Sequence, residues 1–180
     1  MDRYWFEGWY RDARKCPSPH FNARPTNEVS LLVIHNISLP AGCFGLPYIE
    51  QLFLGTLDCH ADASFAELQG LEVSAHFLIR RDGEIVQFVS CDERAWHAGV
   101  SSFDGRIGCN DFAVGIELEG TDTSGYTDIQ YQQLQQLTRE LMTIYPMIVK
   151  ARIVGHCDIA PGRKTDPGPG FDWQRYLAVV

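Results

Sequence analysis

The residues best suited to chemistry lie close together near the end of the chain, between positions 155 and 170. Five side chains there can bind a metal ion or move a proton, and they are His156, Cys157, Asp158, Lys164 and Asp166. The segment is rich in proline and glycine, which predicts a loop, and the fixed φ of its prolines limits how far Asp166 can lie from His156. Imidazole and carboxylate are good zinc ligands, so we predict a metal-site loop. A rigid, polar surface turn is the alternative.

A second histidine bears on that choice. The apolar run 31–34 ends at His35, which is typical of a central strand buried on both faces. A strand-like run at 151–154 precedes His156. If the two strands are neighbours, His35, His156 and Asp166 meet in one pocket and leave the fourth tetrahedral position to water, as in a hydrolytic zinc site. For His35 alone, a core histidine with satisfied hydrogen bonds is the alternative.

Residues 112–119 alternate in a way that predicts a strand. The apolar side chains expected on one face are Phe112, Val114, Ile116 and Leu118. The other face carries Glu117 and Glu119 beside the small residues Ala113 and Gly115. Small neighbours leave room for a ligand.

Turn and cap signals define the remaining elements. Asp82-Gly83 predicts a hairpin turn between strands at 73–80 and 84–89. The predicted helices are 48–54 between Pro47 and Gly55, 130–145 behind a Thr127 and Gln130 capping box, and 173–178 capped by Asp172. Because strands and helices are mixed along the chain, we predict an α/β fold, with a single mixed β-sheet, helices packed on its faces and one domain over residues 1–180.

Composition limits the classes of function. The chain has 180 residues, 45% hydrophobic and 21% charged, which is ordinary for one globular domain. Its net charge of −8 argues against a nucleic-acid partner, because such binding depends on Lys and Arg neutralising phosphates. No apolar run is long enough to span a bilayer, and the N-terminus lacks the apolar core of a signal peptide, so we expect no membrane partner. Six cysteines without a C-x-x-C pair favour reduced thiols in a cytosol.

Five runs of sequence resemble a known family. They are 32–40, 73–83, 94–101, 109–122 and 155–161. In these runs the chain is similar to the zinc N-acetylmuramoyl-L-alanine amidases of bacterial cell-wall recycling, a group related to phage amidases and peptidoglycan recognition proteins. The motifs occur in the family's order, and the resemblance extends from near Gly8 almost to the end of the chain.

The resemblance implies a role for each candidate residue. His35, His156 and Asp166 would bind zinc, Glu117 would act as the acid/base residue, and Lys164 would stabilise the developing oxyanion. These roles suit amide hydrolysis, in which zinc polarises the carbonyl group and lowers the pKa of water. Without the resemblance, the residues alone would favour a solvated strand carboxylate for Glu117 and a surface cation for Lys164.

The resemblance also implies a substrate. It would be a small-molecule muropeptide, 1,6-anhydro-N-acetylmuramic acid bearing a peptide, cut in the cytoplasm at the amide between the lactyl group and L-alanine. Separately from the resemblance, we expect a monomer. Trp96 could stack on the sugar and Asn36 could hydrogen-bond the peptide, although a core indole and a strand-end amide are the alternatives. His76 and His97 also lie in family motifs, but a catalytic zinc takes three protein ligands and we assign them no ligand role.

Two other classes of protein stay open at this point. A non-catalytic peptidoglycan-binding module would not need Asp166 as a third ligand facing Glu117 and Lys164. A cysteine hydrolase would use Cys157 with His156, but adjacent side chains on an extended segment diverge.

Overall fold

The computed structural model of the protein describes residues 4–180. In chain order its strands are β1 Trp5–Phe6, β2 Trp9–Tyr10, β3 Arg14–Lys15, β4 Phe21–Ala23, β5 Leu31–Ile37, β6 Phe77–Ile79, β7 Ile85–Gln87, β8 Glu93–Ala95, β9 Ser102–Phe103, β10 Arg106–Ile107, β11 Ala113–Glu119 and β12 Ile153–Gly155. The α-helices are α1 Tyr48–Phe53, α2 Asp128–Ile144, α3 His156–Ile159 and α4 Trp173–Leu177. Three 3₁₀ turns cover Ala63–Leu68, Cys109–Asp111 and Lys150–Arg152. None of the helices in residues 4–180 has the length and apolar character of a membrane span.

A six-stranded mixed sheet forms the centre of the fold, in the order β12-β5-β11-β6-β7-β3. The strands β12, β5, β11 and β6 are parallel, and β7 runs antiparallel to β6. Strand β11 is buried throughout and β5 is buried from Leu31 to His35, as expected for parallel strands covered on both faces. The carboxyl ends of these strands therefore meet at one edge of the sheet, which is where α/β proteins bind ligands.

Helices cover both faces of this sheet, so the predicted fold class is confirmed. On one face, the apolar side of α2, including Leu134 and Leu137, joins Val114 and Ile116 of β11 in a single core cluster. On the other face, α1 packs in a cluster with Leu78 of β6. Within residues 4–180, three short two-stranded sheets lie outside the central sheet, formed by β1 with β2, β4 with β8, and β9 with β10.

The predicted hairpin and all three predicted helices are present, and the ends of the helices are shifted by at most two residues. The strands of the hairpin are antiparallel but shorter than predicted, and Gly83 in its turn has a φ of +88°. Helix α2 begins with the predicted capping box, in which the Thr127 hydroxyl accepts from the Gln130 N–H while the Gln130 side chain accepts from the Thr127 N–H. The Asp172 carboxylate caps α4 by accepting from the Arg175 N–H.

Three local predictions are wrong. Phe112 does not share the face of Val114, because the 3₁₀ turn at Cys109–Asp111 ends at Phe112, which packs in the cluster of Leu31 on the opposite face. Residues 151 and 152 belong to a 3₁₀ turn, so the strand before His156 is only β12. The loop that follows begins with one helical turn, α3, because the Asp158 carboxylate accepts a hydrogen bond from the N–H of Gly155 at 2.7 Å.

Helix α1 is held to the sheet by an ionic network centred on Glu50. Its carboxylate accepts hydrogen bonds at 2.6 Å from Arg14 on β3 and at 2.6 Å from Arg80, the residue after β6. Burial of Glu50 acts to raise its pKa, but the two guanidinium groups outweigh burial and lower the pKa to about 2. This network fixes the helix that also carries Leu52 and Phe53, two side chains that line the cleft described below.

We predict that Glu50→Gln destabilises the protein in a pH-dependent way. The pKa of Glu50 in the folded protein lies below that of a glutamate in the unfolded chain. The ionised carboxylate therefore stabilises the fold fully above about pH 4.3, and this stabilisation is lost as the pH falls toward the pKa of the folded state. The variant should lose about 2 kcal/mol of unfolding free energy at pH 7, a figure reduced because Arg14 is partly exposed. Urea unfolding at pH 7, 5 and 3 measures the difference.

The difference in unfolding free energy between Glu50→Gln and wild type should become smaller from pH 5 to pH 3. An exposed carboxylate provides the control, because Glu67→Gln should change the stability little at any of the three pH values. A difference in unfolding free energy that became larger in acid would contradict the stabilising role of the ionised Glu50 carboxylate.

Candidate active site

The structure brings together the three residues that the sequence nominates as metal ligands. His35 lies near the carboxyl end of β5, and His156 follows directly after the neighbouring strand β12. Asp166 returns to the same place on the loop after α3, where its backbone carbonyl accepts a hydrogen bond from the Cys157 N–H at 3.0 Å. Adjacent parallel strands thus position the two imidazoles, and the loop adds the carboxylate.

The three ligand atoms form a triangle. Nδ1 of His35 lies 3.0 Å from Nδ1 of His156, and each nitrogen lies 3.0 Å from Oδ2 of Asp166. Ligands about 2.05 Å from a tetrahedral zinc ion would be separated by about 3.3 Å, so the spacing and the donor types suit that metal. Both histidines are buried and Asp166 is partly buried, and together they form a cluster that could hold a metal ion.

Hydrogen bonds outside the triangle orient His156. Its Nε2 lies 3.1 Å from the carbonyl oxygen of Ala98, which can only accept. A neutral His156 that donates to this carbonyl carries its hydrogen on Nε2 and keeps a lone pair on Nδ1 toward the triangle. Nη2 of Arg163 also lies near Nε2, at 3.4 Å.

The charge states of the other two residues also suit a metal. Burial, opposed by the contact with Asp166, lowers the pKa of His35 to about 4 and favours the neutral form that binds metals. Burial acts to raise the pKa of Asp166, but the contacts with His156 and His35 hold this pKa below its ordinary value. The cluster thus combines a neutral His35 imidazole with an ionised Asp166 carboxylate.

Glu117 stands next to this cluster on the neighbouring strand. It is the register partner of His35 between β11 and β5, and its Oε1 lies 4.0 Å from Nδ1 of His35. Its Oε2 is buried and has no hydrogen-bond partner among residues 4–180. Burial and the negative charge of Asp166 raise the pKa of Glu117 well above its ordinary value, while Lys164 opposes the shift. A buried carboxylate with a raised pKa and a free oxygen is suited to moving protons.

Glu119, two residues further along β11, shows what a structural carboxylate looks like on the same strand. It is 1% exposed, and its oxygens accept from the N–H of Gly45 at 2.6 Å, the N–H of Arg81 at 3.0 Å and the side chain of Arg80 at 3.4 Å. Its hydrogen-bonding capacity is therefore used within the protein. The contrast with Glu117 makes the free Oε2 atom a specific feature of the site.

A cleft of about 280 Å³ opens beside the cluster. Its polar lining residues are His35, Asn36, Ser74, His97, Glu117, His156, Lys164 and Asp166. Its apolar and aromatic lining residues are Ile37, Leu39, Leu52, Phe53, Leu68, Leu71, Val73 and Trp96. Among the described residues, Lys164 is the only lysine or arginine on this lining, which places one cation beside the acidic groups.

The two candidate substrate-binding residues both line the cleft, in different settings. The indole of Trp96 stacks on His20 at a centroid distance of 6.0 Å and donates to Asn22 at 2.7 Å, so its orientation is fixed. The Asn36 amide nitrogen donates to Asp122 at 2.8 Å and to the carbonyl oxygen of Pro167 at 3.1 Å. Both of its amide hydrogens are therefore committed, and substrate binding by Asn36 stays a prediction limited to its oxygen.

The room expected beside Gly115 is filled by the protein itself. A Cβ atom added to Gly115 would lie 2.5 Å from Cγ and Nδ1 of His97, so the glycine makes space for that ring rather than for a ligand. His97 and His76 lie outside the triangle of ligand atoms. His76 is buried between the N–H of Gly115 and the carbonyl oxygen of Glu93, at 3.0 and 3.1 Å.

Sequence reasoning missed two residues that shape the segment 97–100. The Asn110 side-chain oxygen accepts from the N–H of His97 at 3.1 Å and of Ala98 at 2.8 Å. Arg163 donates to the carbonyl oxygens of Ala98 and Val100, both at 2.7 Å. Both support His156, because Ala98 is its hydrogen-bond partner and Nη2 of Arg163 also lies 3.4 Å from Nε2 of His156. Side chains that bond mainly to the backbone leave no pattern in the sequence.

Cys157 does not fit the role of a nucleophile. Its Sγ lies 3.9 Å from Oδ1 of Asp158. Burial together with the charges of Asp158 and Asp166 raises the pKa of the thiol, whereas a nucleophilic cysteine needs a lowered pKa.

We expect Cys157→Ser to keep amide-hydrolysing activity within about twofold of wild type, because we assign the thiol no part in the reaction. A steady-state assay checks this, and complete inactivation with the metal content intact would contradict it.

The fold and this site define a class of hydrolase. The sequence profile described as N-acetylmuramoyl-L-alanine amidase matches residues 25–169, and the chain belongs to this amidase family. The resemblance seen in the five sequence runs is therefore confirmed.

Particular relatives are closely similar over the whole chain. The chain is 62% identical, over 97% of its own length and 93% of the relative's, to the 1,6-anhydro-N-acetylmuramyl-L-alanine amidase AmpD of Citrobacter freundii. A crystal structure of a selenomethionine derivative of AmpD matches with a TM-score of 0.95 and 61% identity, covering 97% of this chain and 98% of that one.

A more distant relative has been solved with a ligand. The N-acetylmuramyl-L-alanine amidase AmiD from E. coli, in complex with the substrate anhydro-N-acetylmuramic acid-L-Ala-D-gamma-Glu-L-Lys, matches with a TM-score of 0.60 and 32% identity. The match covers 87% of this chain and 59% of that chain.

Proposed function

We propose that this amidase is a zinc enzyme that hydrolyses the lactyl amide bond between 1,6-anhydro-N-acetylmuramic acid and L-alanine of muropeptides in peptidoglycan recycling. The high identity to AmpD supports the substrate. The observation that carries the chemistry is the free, buried Oε2 of Glu117, on a carboxylate whose other oxygen lies 4.0 Å from the ligand cluster. A cytoplasmic location and a monomeric state are parts of the same proposal.

His35, His156 and Asp166 would hold the zinc ion. Their buried, closely spaced donor atoms fit a site with three protein ligands and one position left for solvent or substrate. When bound, zinc polarises a carbonyl oxygen and lowers the pKa of water to about 7.

Glu117 would move the proton in this reaction. As an anion it takes a proton from the attacking water, and it then gives that proton to the amine of L-alanine, which is too basic to leave as an anion. In the protein without bound metal, burial and Asp166 raise the pKa of Glu117, which favours proton uptake, and the charge of a bound zinc ion would oppose this shift.

Lys164 would stabilise the negative charge that develops on the former carbonyl oxygen. It lies on the same cleft as Glu117 and the ligand cluster. A donor group directed at such an oxyanion is worth about 3 kcal/mol in acyl transfer.

Trp96 and Asn36 would bind the substrate on either side of the reacting amide. The fixed indole of Trp96 offers an apolar surface of the kind on which sugar rings stack. The Asn36 oxygen would accept a hydrogen bond from the peptide. The single cation and several leucines on the lining suit a small molecule with an apolar sugar face, and a polyanionic partner finds little to bind here.

Mass spectrometry of the products from an anhydromuropeptide tests bond, substrate and metal together. The expected products are the free anhydro sugar acid and the intact peptide, formed by untreated protein, absent after a chelator and restored by added zinc. Cleavage at another amide, or full turnover in the chelator, would contradict the proposal.

A further inference from the structure

The side of His35 that faces away from the ligand triangle contacts a second histidine. Nε2 of His35 lies 3.0 Å from Nδ1 of His97, and the two rings meet edge to face with centroids 5.0 Å apart. Nδ1 of His97 is therefore separated from the metal triangle by the His35 ring. This contact is a hydrogen bond to a candidate ligand rather than a fourth ligand.

The fold holds the His97 ring in that position from two directions. Its backbone N–H donates to Asn110 Oδ1 at 3.1 Å, which fixes the start of the side chain. Gly115, in the middle of the buried strand β11, leaves the space that the ring fills, since a Cβ there would lie 2.5 Å from the ring. A glycine in a strand interior weakens the strand, and close approach of another group is a common reason to keep one there.

The contact with His97 bears on which ring nitrogen of His35 carries its hydrogen. A neutral histidine carries one ring hydrogen, and a metal ligand must present the other nitrogen as a bare lone pair. If Nδ1 of His35 binds the metal, its hydrogen must be on Nε2, where it needs an acceptor. Within residues 4–180, Nδ1 of His97 is the only acceptor at hydrogen-bond distance from that atom.

The opposite arrangement would prevent metal binding. If His97 donated from Nδ1 instead, His35 would have to carry its hydrogen on Nδ1, inside the triangle. The acceptor arrangement places the His97 hydrogen on Nε2, a buried atom with no partner in the described part of the chain.

We propose that His97 is a positioning residue that accepts the hydrogen bond from Nε2 of His35 and so directs Nδ1 of His35 to the metal. This inference rests on the proposed zinc site and deepens it. It assigns a role to a residue of the Trp96-His97-Ala98-Gly99 motif that the sequence analysis left without one. Groups that orient metal ligands in this way typically affect metal affinity 10–100-fold.

Three substitutions at position 97 separate this role from simple packing. His97→Leu fills the space without an acceptor. His97→Asn places an oxygen two bonds beyond Cβ, as far as Nδ1 of histidine, whereas His97→Gln places its oxygen one bond further away. Only Asn is expected to keep the acceptor where Nε2 of His35 needs it.

The measurement is the zinc dissociation constant of each protein, obtained by competition with a chelating indicator. We expect His97→Leu and His97→Gln to bind zinc about 10–100-fold more weakly than wild type, and His97→Asn to stay within about threefold. Long-range ¹H–¹⁵N NMR spectra of zinc-loaded wild type should show His35 protonated at Nε2. Thermal unfolding of the apoproteins reports whether each variant is folded, and the Asn and Gln pair suffices if Leu does not fold.

The possible outcomes distinguish this inference from the proposed function. Unchanged zinc affinity in the Leu and Gln variants, or equal losses in Asn and Gln, would overturn the role of His97 and leave the zinc amidase standing. Wild-type protein without zinc affinity would overturn both.

Discussion

Glu117→Gln is expected to reduce kcat by about 10²–10⁴-fold and to leave the zinc content at the wild-type level. Glutamine has nearly the shape of glutamate but cannot take a proton from water or return one to the departing amine. The carboxylate lies beside the ligand triangle and is not part of it, because its closest oxygen is 4.0 Å from Nδ1 of His35. Turnover of anhydromuropeptide and zinc per chain, measured on the same preparation, check both halves of the prediction.

The matched control is Glu67→Gln, which makes the same chemical change at an exposed position outside the cleft. It should leave both turnover and zinc content unchanged. Near-wild-type turnover in Glu117→Gln would remove the proton-transfer role. Loss of zinc in that variant would instead make Glu117 a ligand.

Asp166→Ala is expected to lose zinc and turnover together. Its Oδ2 lies 3.0 Å from both histidine nitrogens, so the substitution removes one corner of the triangle and its only negative charge. Substituting a residue that only hydrogen-bonds to a metal ligand typically lowers metal affinity about 10–100-fold. Loss of a ligand itself should therefore lower zinc affinity more than about 100-fold. Zinc titration and turnover at saturating zinc measure the two effects.

A graded series makes the result specific. Asp166→Asn keeps an oxygen in place but removes its charge, so its zinc affinity should fall between wild type and Asp166→Ala. Circular dichroism of the metal-free proteins excludes loss of the fold as the cause. Full zinc content in Asp166→Ala would contradict its assignment as a ligand.

The positions of His35 and His156 could be predicted because local rules decide them. The apolar run before His35 is long enough to be a buried strand, and the parallel strand before His156 pairs beside it. The positions of these two candidate ligands therefore follow from hydrophobic patterning and from the rule that parallel strands end at one edge of a sheet. Asp166 follows less directly, and the structure shows it held by the backbone contact with Cys157.

Other features depended on contacts between distant segments, which sequence patterns do not record. Gly115 suggested an open space, but the segment containing His97 is folded back onto it by Asn110. Asn36 suggested a free amide at a strand end, but Asp122 and Pro167 take its hydrogens. In both cases the residue type was informative, and the identity of its neighbour was set by the tertiary fold.

The difference between the surroundings of Glu117 and Glu119 is also set by the tertiary fold. Both are acidic residues on the same side of one buried strand, and alternation alone treats them alike. Arg80 and the N–H of Arg81 satisfy Glu119, whereas the ligand cluster leaves Glu117 with an unpaired oxygen. Only the family resemblance singled out Glu117 before the structure did.

Metal content measured against activity tests the central claim most directly. Protein purified without added metal, analysed by inductively coupled plasma mass spectrometry and then assayed on anhydromuropeptide, should show turnover proportional to bound zinc up to one ion per chain. Stripped protein should be inactive and should regain activity at one equivalent. Full activity in protein without any bound transition metal would contradict the account.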